Sequence, residues 1–253
     1  MTDSHTLAVS KTVTHSTTGL RRDRFVGTSP QEVLQSVFGY PDFRSLQARA
    51  VECVMAGQDV LVLMPTGGGK SICYQIPALC RSGMGLVVSP LIALMDDQVA
   101  SLRQVGINAA ALHSELEAEE ASQIQADLTS GRLDILYVSP ERLLSLGTLE
   151  RLSRQTLSLI AIDEAHCISA WGHEFRPEYR ALAALPHHFP NVPRIALTAT
   201  ADLRTRDDIL NALGMAHAEI LISSFHRPNL TITAVPKGSE TGQLLAALEK
   251  HHN

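Results

Sequence analysis

Short apolar runs separated by longer amphipathic stretches form the main pattern of this chain. The runs are rich in Val, Ile and Leu, and their length is typical of buried strands. We predict seven strands: Val60–Met64, Gly85–Ser89, Ala109–Leu112, Ile135–Ser139, Leu157–Ile162, Arg194–Thr198 and Glu219–Ser223. Helical spacing predicts helices between them at Ser71–Arg81, Ile92–Val105, Ala118–Thr129 and Leu203–Leu213. Because such strands alternate with crossover helices, the pattern predicts an α/β fold whose mostly parallel sheet is covered by helices on both faces.

The two ends of the chain depart from this alternation. Residues 1–28 show no periodicity and predict a flexible leader, after which Ser29 is expected to cap a helix with Pro30 in its first turn. At the other end, a linker, a short apolar run and one helix are predicted, at Phe225–Asn229, Leu230–Val235 and Gly242–His251. We therefore predict three parts: a leader 1–28, a main domain 29–226, and a linker with the incomplete start of a second domain, 227–253.

Composition narrows the class of protein. The chain has 253 residues, of which 45% are hydrophobic, and no run approaches the length of a membrane span or a secretory signal. We expect a cytoplasmic protein that does not bind membranes. A net charge of −5 gives no global attraction to nucleic acid, although it leaves room for a local basic groove. The spacing of Cys53, Cys73, Cys80 and Cys167 predicts neither a disulfide nor a metal-thiolate site.

The turn after the first predicted strand is the strongest chemical signal. It reads Met64-Pro65-Thr66-Gly67-Gly68-Gly69-Lys70-Ser71 and opens a helix. Backbone N–H groups converge at such a helix start, and the helix dipole adds positive charge, so polyphosphate is the expected ligand. Lys70 is predicted to reach the β and γ phosphates, and the Ser71 hydroxyl to bind Mg²⁺. Met64 stands where the general pattern has glycine, and the alternative is an ordinary glycine loop before a helix.

Two acids follow the strand Leu157–Ile162, which we expect to neighbour the strand that ends at the glycine turn. Asp163 is predicted to hold Mg²⁺, and Glu164 to orient and deprotonate an attacking water. The alternative is a solvated acidic pair at a helix start. His166, together with Thr198 and Thr200, is predicted to relay the state of the γ-phosphate through hydrogen bonds. A satisfied buried histidine is the alternative for His166.

The segment after the acids concentrates aromatic side chains in a chain that has only 4% of them. Trp171, Phe175 and Tyr179 alternate there with Arg176 and Arg180. Aromatic faces beside guanidinium groups suit stacking on unpaired bases and neutralising phosphates, so this segment predicts a mobile loop that contacts single-stranded nucleic acid. The alternative is that Trp171 and Phe175 pack in the core.

A further candidate lies near the start of the main domain. The Gln47 amide is able to form the paired donor and acceptor bonds that distinguish adenine, with Tyr40 or Phe43 stacking nearby. The alternative is a solvated glutamine on a helix surface.

Taken in order, these motifs resemble a known family. They are F-G-x-x-x-F-R-x-x-Q, M-P-T-G-G-G-K-S, V-V-S-P-L-I-A-L-M-D-D-Q-V, Y-V-S-P-E-R-L, D-E-A-H-C-I-S-x-W-G-H-E-F-R-P-E-Y and A-L-T-A-T-A. The sequence from about Leu34 to Asn229 is similar to the first RecA-like domain of RecQ-family DNA helicases, in superfamily 2, with a DEAH-type motif. That family also lacks glycine at the position of Met64, so this departure from the general pattern is expected.

The resemblance implies a three-layer RecA-like domain, followed by the truncated start of a second one. It implies an ATP-dependent 3′-to-5′ DNA helicase that acts in repair and recombination, with ATP and Mg²⁺ as cofactors. The implied partners are single-stranded and forked DNA and other DNA repair proteins, in a bacterial, nucleoid-associated setting. The implied nucleotide residues are Arg44, Gln47, Thr66, Gly67, Gly68, Gly69, Lys70 and Ser71. The implied catalytic residues are Lys70, Asp163, Glu164 and His166, with Mg²⁺ on Ser71 and Asp163. The implied nucleic-acid residues are Trp171, His173, Phe175 and Arg176, and the coupling residues are Thr198 and Thr200.

Relative to the family, the sequence lacks most of the second RecA-like domain with its arginine finger, and the C-terminal modules. Because an arginine from across the cleft is worth ~10³–10⁵ in rate, we expect slow ATP hydrolysis by the chain alone. Two other functions stay open: a non-catalytic module that binds ATP and DNA, and an unrelated P-loop ATPase without nucleic acid.

Overall fold

The computed structural model describes residues 23–145, 147–171, 175–224, 234 and 236–250. Within these residues the chain forms one sheet of seven strands. They are β1 (Val60–Leu63), β2 (Met84–Val88), β3 (Ala109–Leu112), β4 (Ile135–Val138), β5 (Leu157–Ile162), β6 (Arg194–Thr198) and β7 (Glu219–Ile222). Their order across the sheet is β3-β4-β2-β5-β6-β1-β7, and neighbouring strands are parallel. The predicted parallel α/β sheet is confirmed.

Helices connect the strands. They are α1 (Pro30–Ser36), α2 (Gln47–Met55), α3 (Ile72–Cys80), α4 (Ile92–Gln104), α5 (Ala118–Thr129), α6 (Pro140–Leu143), α7 (Thr148–Ser153), α8 (Pro177–Arg180), α9 (Leu185–His188), α10 (Leu203–Ala212) and α11 (Glu240–Lys250). The predicted helices form within two residues of their expected bounds. The pattern did not predict α2, whose first turn has no side-chain cap, or the short helices α6–α9, which are too brief to show a helical period.

Both faces of the sheet are buried, which is why the strands are apolar without alternation. Along β1, Val60 and Val62 pack in one core cluster with α1–α4, whereas Leu61 and Leu63 pack in another with α5–α10. The middle layer is thus covered by helices on each side, as the sequence predicted.

Helix α1 begins with a capping box. The Ser29 hydroxyl accepts a hydrogen bond from Glu32 N (3.2 Å), and the Glu32 carboxylate accepts one from Ser29 N (3.1 Å). Part of the predicted leader is described: in residues 23–28, the Asp23 carboxylate accepts a hydrogen bond from Gly83 N (2.8 Å) and Phe25 packs on the core. These contacts tie 23–28 to the domain, and the rest of the predicted leader lies outside the described residues.

The chain divides into two compact units, Met1–Ser223 and Ser224–Asn253. The described part of the second unit is mainly α11, which exposes Leu244, Leu245 and Leu248. The predicted linker lies outside the described residues, as does almost all of the apolar run after it. Among the helices that the structure describes, none combines the length and the apolar character needed to cross a membrane.

Candidate active site

The glycine-rich turn lies at the carboxyl end of β1, directly before α3. Its first residue is fixed to the neighbouring strand, because Met64 N donates to Thr198 O (3.1 Å). Gly69 has a φ of 79°, and a Cβ at Gly68 would lie 2.9 Å from the carbonyl oxygen of Pro65. The turn therefore requires the absence of side chains at these positions, as a backbone phosphate cradle does.

Gln47, the first residue of α2, lies over this turn. Its Nε2 donates to the carbonyl oxygens of Gly69 (3.1 Å) and Gly68 (3.3 Å), and its Oε1 accepts from Arg44 N (2.7 Å). A Cβ at Gly69 would collide with Nε2. The side chain is buried by these contacts, so the alternative of a solvated glutamine is wrong. To bind adenine, the amide has to exchange these backbone partners for the base.

A cavity of about 420 Å³ adjoins Gln47 and the turn. Its lining includes Phe38, Tyr40, Arg44, Gln47, Gly67 and Ser71. The structure thus brings the predicted adenine side of the site, including Tyr40 and Arg44, to the phosphate turn.

A second cavity, of about 300 Å³, joins the turn to the acids. Lys70 and Ser71 line it together with Asp163 and Glu164. One detail of the prediction is wrong: the strand before the acids is not the neighbour of β1, because β6 lies between them. The two clusters still face one cavity, since all parallel strands present their carboxyl ends at the same edge.

Asp163 is an electrostatically perturbed acid of this cavity. Burial raises its pKa to about 6, with a further increase from the charge of Glu164, while the Glu164 N–H and Lys70 act in the opposite direction. A buried carboxylate beside a second acid is what a divalent cation stabilises. The Ser71 hydroxyl and the Asp163 carboxylate are hard oxygen donors, so they fit Mg²⁺ carried by a nucleotide.

We expect Asp163→Asn to stabilise the nucleotide-free protein. Asparagine keeps an oxygen to accept from Glu164 N, a bond of 3.0 Å, and removes the buried charge. Because the folded-state pKa is raised, the ionised carboxylate lowers stability above about pH 6, and the penalty disappears as pH falls toward the ordinary value of 3.8. Thermal unfolding should show the variant higher in Tm by roughly 2–6 °C near neutral pH, with a gap that closes in acid.

The control for this measurement is Asp97→Asn, which removes an exposed carboxylate of α4. Its Tm should follow the wild type at every pH. Equal Tm values for Asp163→Asn and wild type at neutral pH would show that Asp163 bears no buried charge.

Glu164 has an unusual backbone, and its side chain approaches His166. With φ 48° and ψ 44° it occupies the left-handed region, which few non-glycine residues adopt. Its carboxylate lies 3.3 Å from His166 Nδ1. Glu164 lines the cavity shared with Lys70.

His166 connects the tips of β5 and β6. Its Nδ1 lies 2.9 Å from the Thr198 hydroxyl, which donates to the Thr200 carbonyl (3.0 Å) and accepts from Thr200 N (3.2 Å). Since that hydroxyl proton is used on Thr200, Nδ1 is the donor toward Thr198. The structure brings together the three residues predicted to form a relay.

The aromatic segment after the acids is divided between surface and core. Trp171 is 70% exposed and Phe175 39% exposed, so core packing of these two is wrong. The Arg204 guanidinium lies 5.6 Å from the centre of the Trp171 ring, and Arg176 Nη1 donates to Pro90 O (3.3 Å), just before α4. His173 lies outside the described residues.

Tyr179 corrects the expectation of a third stacking ring. It is fully buried, and its hydroxyl donates to the carbonyl oxygen of Asp163 (2.9 Å). Helix α8 turns this ring inward, so Tyr179 positions the acidic strand end and does not face a base. The segment thereby connects the exposed aromatic rings with the acids.

The sequence did not reveal a group of four polar residues at the second cavity: Tyr74, Gln75, Gln98 and Tyr137. Tyr74 and Gln75 lie in the apolar helix α3, and Gln98 and Tyr137 lie in two of the quoted motifs, where the sequence assigned them no role. The tertiary packing of α3 and α4 on β4 brings them together.

Comparison with known proteins agrees with this geometry. Residues 44–209 match the family described as DEAD/DEAH box helicase. The chain is 50% identical over 213 residues to the ATP-dependent DNA helicase RecQ of Pasteurella multocida, and 50% identical over 212 residues to that of Haemophilus influenzae. Each alignment covers 84% of this chain and 34% of the relative. The chain thus spans about a third of the length of these relatives.

Solved structures show the same fold. A hypothetical ATP-dependent RNA helicase from Sulfolobus tokodaii aligns with a TM-score of 0.57 at 21% identity, covering 76% of this chain and 56% of that one. The DUF1998 helicase MrfA bound to DNA and AMPPNP aligns with a TM-score of 0.63 at 16% identity, covering 91% of this chain and 35% of that one. The family match over residues 44–209 and the 50% identity to RecQ helicases lead to one conclusion: the chain belongs to the DEAD/DEAH box helicases and is similar within them to RecQ.

Proposed function

We propose that this chain is the first motor domain of a RecQ-type DNA helicase, which binds Mg·ATP and couples its hydrolysis to movement on single-stranded DNA. One observation supports this most directly: the phosphate turn and the acidic pair face a single cavity, and the exposed rings Trp171 and Phe175 follow the acids on the same segment. Exposed aromatic rings near the guanidinium groups of Arg176 and Arg204 suit stacking on unpaired bases, which favours a nucleic-acid motor over an ATPase without nucleic acid.

The residues of the second cavity have different roles in the proposed reaction. The turn's backbone N–H groups and Lys70 bind the phosphates, and Ser71 and Asp163 hold Mg²⁺, which neutralises charge developing on the phosphate oxygens. Glu164 accepts a proton from the attacking water. Its left-handed backbone fixes the direction from which the carboxylate acts.

Contacts between strand ends provide the proposed coupling to DNA. His166 links Glu164 to Thr198, Tyr179 links the Asp163 backbone to α8, and Arg176 links the aromatic segment to the start of α4. A change at the acids on hydrolysis therefore reaches both the aromatic segment and α4 through direct hydrogen bonds.

The activity of the longer protein is part of the proposal. We propose 3′-to-5′ unwinding in repair and recombination, single-stranded and forked DNA as substrates, and a bacterial nucleoid as the place of action. We also propose residues 29–226 as the ATP-binding domain between a leader 1–28 and the region 227–253. The end of the first compact unit at Ser223 supports the second boundary.

ATP turnover measured with and without single-stranded DNA tests the function. Stimulation by DNA supports the helicase motor, and ATP and DNA binding without turnover supports a non-catalytic module. Turnover that is indifferent to DNA supports an unrelated ATPase and contradicts the proposal.

We expect Trp171→Ala to weaken single-stranded DNA binding by about tenfold or more, because base–aromatic stacking contributes ~1–3 kcal/mol. The exposed ring should not be needed for folding, so Tm is expected to stay unchanged. Fluorescence anisotropy with a labelled oligonucleotide measures the affinity.

Two further variants sharpen the result. Trp171→Phe keeps an aromatic face and should retain most of the affinity, while Val26→Ala removes an exposed apolar side chain elsewhere and should retain all of it. Wild-type affinity in Trp171→Ala would exclude this ring from the DNA surface.

A further inference from the structure

A buried network of polar side chains adjoins the second cavity, the one that holds Asp163 and Glu164. The Tyr74 and Tyr137 hydroxyls are 3.3 Å apart, and Gln75 Nε2 donates to the Tyr137 hydroxyl (3.0 Å) and to Gln98 Oε1 (2.9 Å). The exposed fraction is 2% for Tyr74, 1% for Tyr137 and 4% for Gln75. The network joins α3, which follows the phosphate turn, to α4 and to β4.

The two phenols together have one O–H donor left. The Gln75 amide uses its two protons on Tyr137 and Gln98, so the Tyr137 oxygen is an acceptor there. The two phenols carry two protons, and the contact between them uses one. Within the described residues neither phenol has a further hydrogen-bond acceptor. Whichever phenol donates to the other, one O–H stays available.

The available O–H belongs to the cavity that holds the acids. Both tyrosines line the same cavity as Lys70, Asp163 and Glu164. Burial is the main cause of the raised pKa of Tyr74 and Tyr137, and the negative charge of Asp163 raises the pKa of both phenols further, which agrees with their closeness to that carboxylate. A buried hydroxyl without an acceptor is costly, and a carboxylate is the strongest acceptor in this cavity.

We propose that the Tyr74–Tyr137 pair is a positioning element for magnesium binding: it directs one phenolic O–H toward Asp163 and fixes the carboxylate that is to hold the ion. The inference rests on the proposed function and adds two positioning residues to it. Because either phenol is able to supply the proton, the pair acts as a redundant donor.

This redundancy gives a specific test. We compare affinity for a fluorescent ATP analogue with Mg²⁺ and with EDTA, and take the ratio as the magnesium increment. In the double variant Tyr74→Phe/Tyr137→Phe the magnesium increment should be about tenfold smaller than in wild type, as expected for the loss of a hydrogen bond to a charged group. Each single variant should lose less than about threefold, because the remaining phenol donates. Affinity in EDTA should stay unchanged.

The control is Thr148→Val, which removes a buried hydroxyl that contacts the Ser145 hydroxyl (2.9 Å) outside both cavities and should leave the increment unchanged. If wild type shows no magnesium increment, the proposed function fails. If wild type shows one and the double variant keeps it, only the positioning role fails. An equal loss in Mg²⁺ and in EDTA would indicate general damage to the site and would also overturn the role.

A measurement on folded protein covers the case in which the double variant does not fold. In protein labelled with ¹³C at the tyrosine ring carbon that bears the oxygen, the single Phe variants assign the two resonances. We expect at least one to shift on addition of Mg·ADP, not with ADP in EDTA, and not in Asp163→Asn. Resonances that do not respond to magnesium would overturn the inference.

Discussion

Lys70→Ala should reduce the affinity of this chain for Mg·ATP by at least ~100-fold, because a charged hydrogen-bond donor on the phosphates contributes about 3 kcal/mol. Lys70 follows Gly69 in the turn and lines the cavity that holds the acids. Within the described residues its ammonium forms no hydrogen bond or ion pair, although its charge lowers the pKa of Asp163. The ammonium is therefore available to a ligand, and its contacts contribute little to the stability of the fold.

Stability provides the internal check on that result. Loss of Lys70 should change Tm by less than about 3 °C, so weak binding is not explained by unfolding. The matched control is Lys237→Ala, which removes an exposed lysine in the second unit and should bind Mg·ATP like wild type. Isothermal titration with a non-hydrolysable analogue measures all three proteins. Normal affinity in Lys70→Ala would place Lys70 outside the site.

The edge of the sheet on which these residues lie was predictable from the chain. Strands buried on both faces have to be apolar throughout, so their runs and their polar ends are visible in sequence. Lys70 and Asp163 each follow such a run, and parallel strands bring both to one edge. The glycine turn, the acids and the exposed aromatic residues follow from the same local reasoning.

Features that depend on packing between distant elements were not predictable. The order of the strands depends on where each crossover helix packs, which the sequence pattern does not specify. The position of β6 between β1 and β5 was therefore not predictable. The bond from Gln47 to the phosphate turn depends on where α2 packs, and the Tyr74–Tyr137 contact depends on α3 crossing β4. Tyr179 was expected at the surface because its segment is rich in aromatic and basic residues, yet α8 turns it into the core.

The different roles proposed for Asp163 and Glu164 predict the second large effect, on the rate of ATP hydrolysis. Glu164→Gln should reduce the rate of ATP hydrolysis by ~10²–10⁴-fold, the range lost when a general base is removed, while Mg·ATP affinity stays within about threefold of wild type. Glutamine keeps the size of the side chain and is able to contact His166, but it does not accept the proton from water. Asp163→Asn should differ, since loss of the proposed magnesium ligand should weaken binding as well as turnover.

Single-turnover hydrolysis with the chain in excess over ATP separates these outcomes, because even slow turnover is then measurable. Glu150→Gln, on the exposed side of α7, is the matched control and should hydrolyse ATP at the wild-type rate.

The left-handed backbone at Glu164 allows a second variant to be tested. Glu164→Gly accepts that conformation without strain and should fold at least as well as Glu164→Gln, yet be equally slow. Hydrolysis at the wild-type rate in Glu164→Gln would show that another group activates the water, and the shared cavity would then be a binding site without its proposed base.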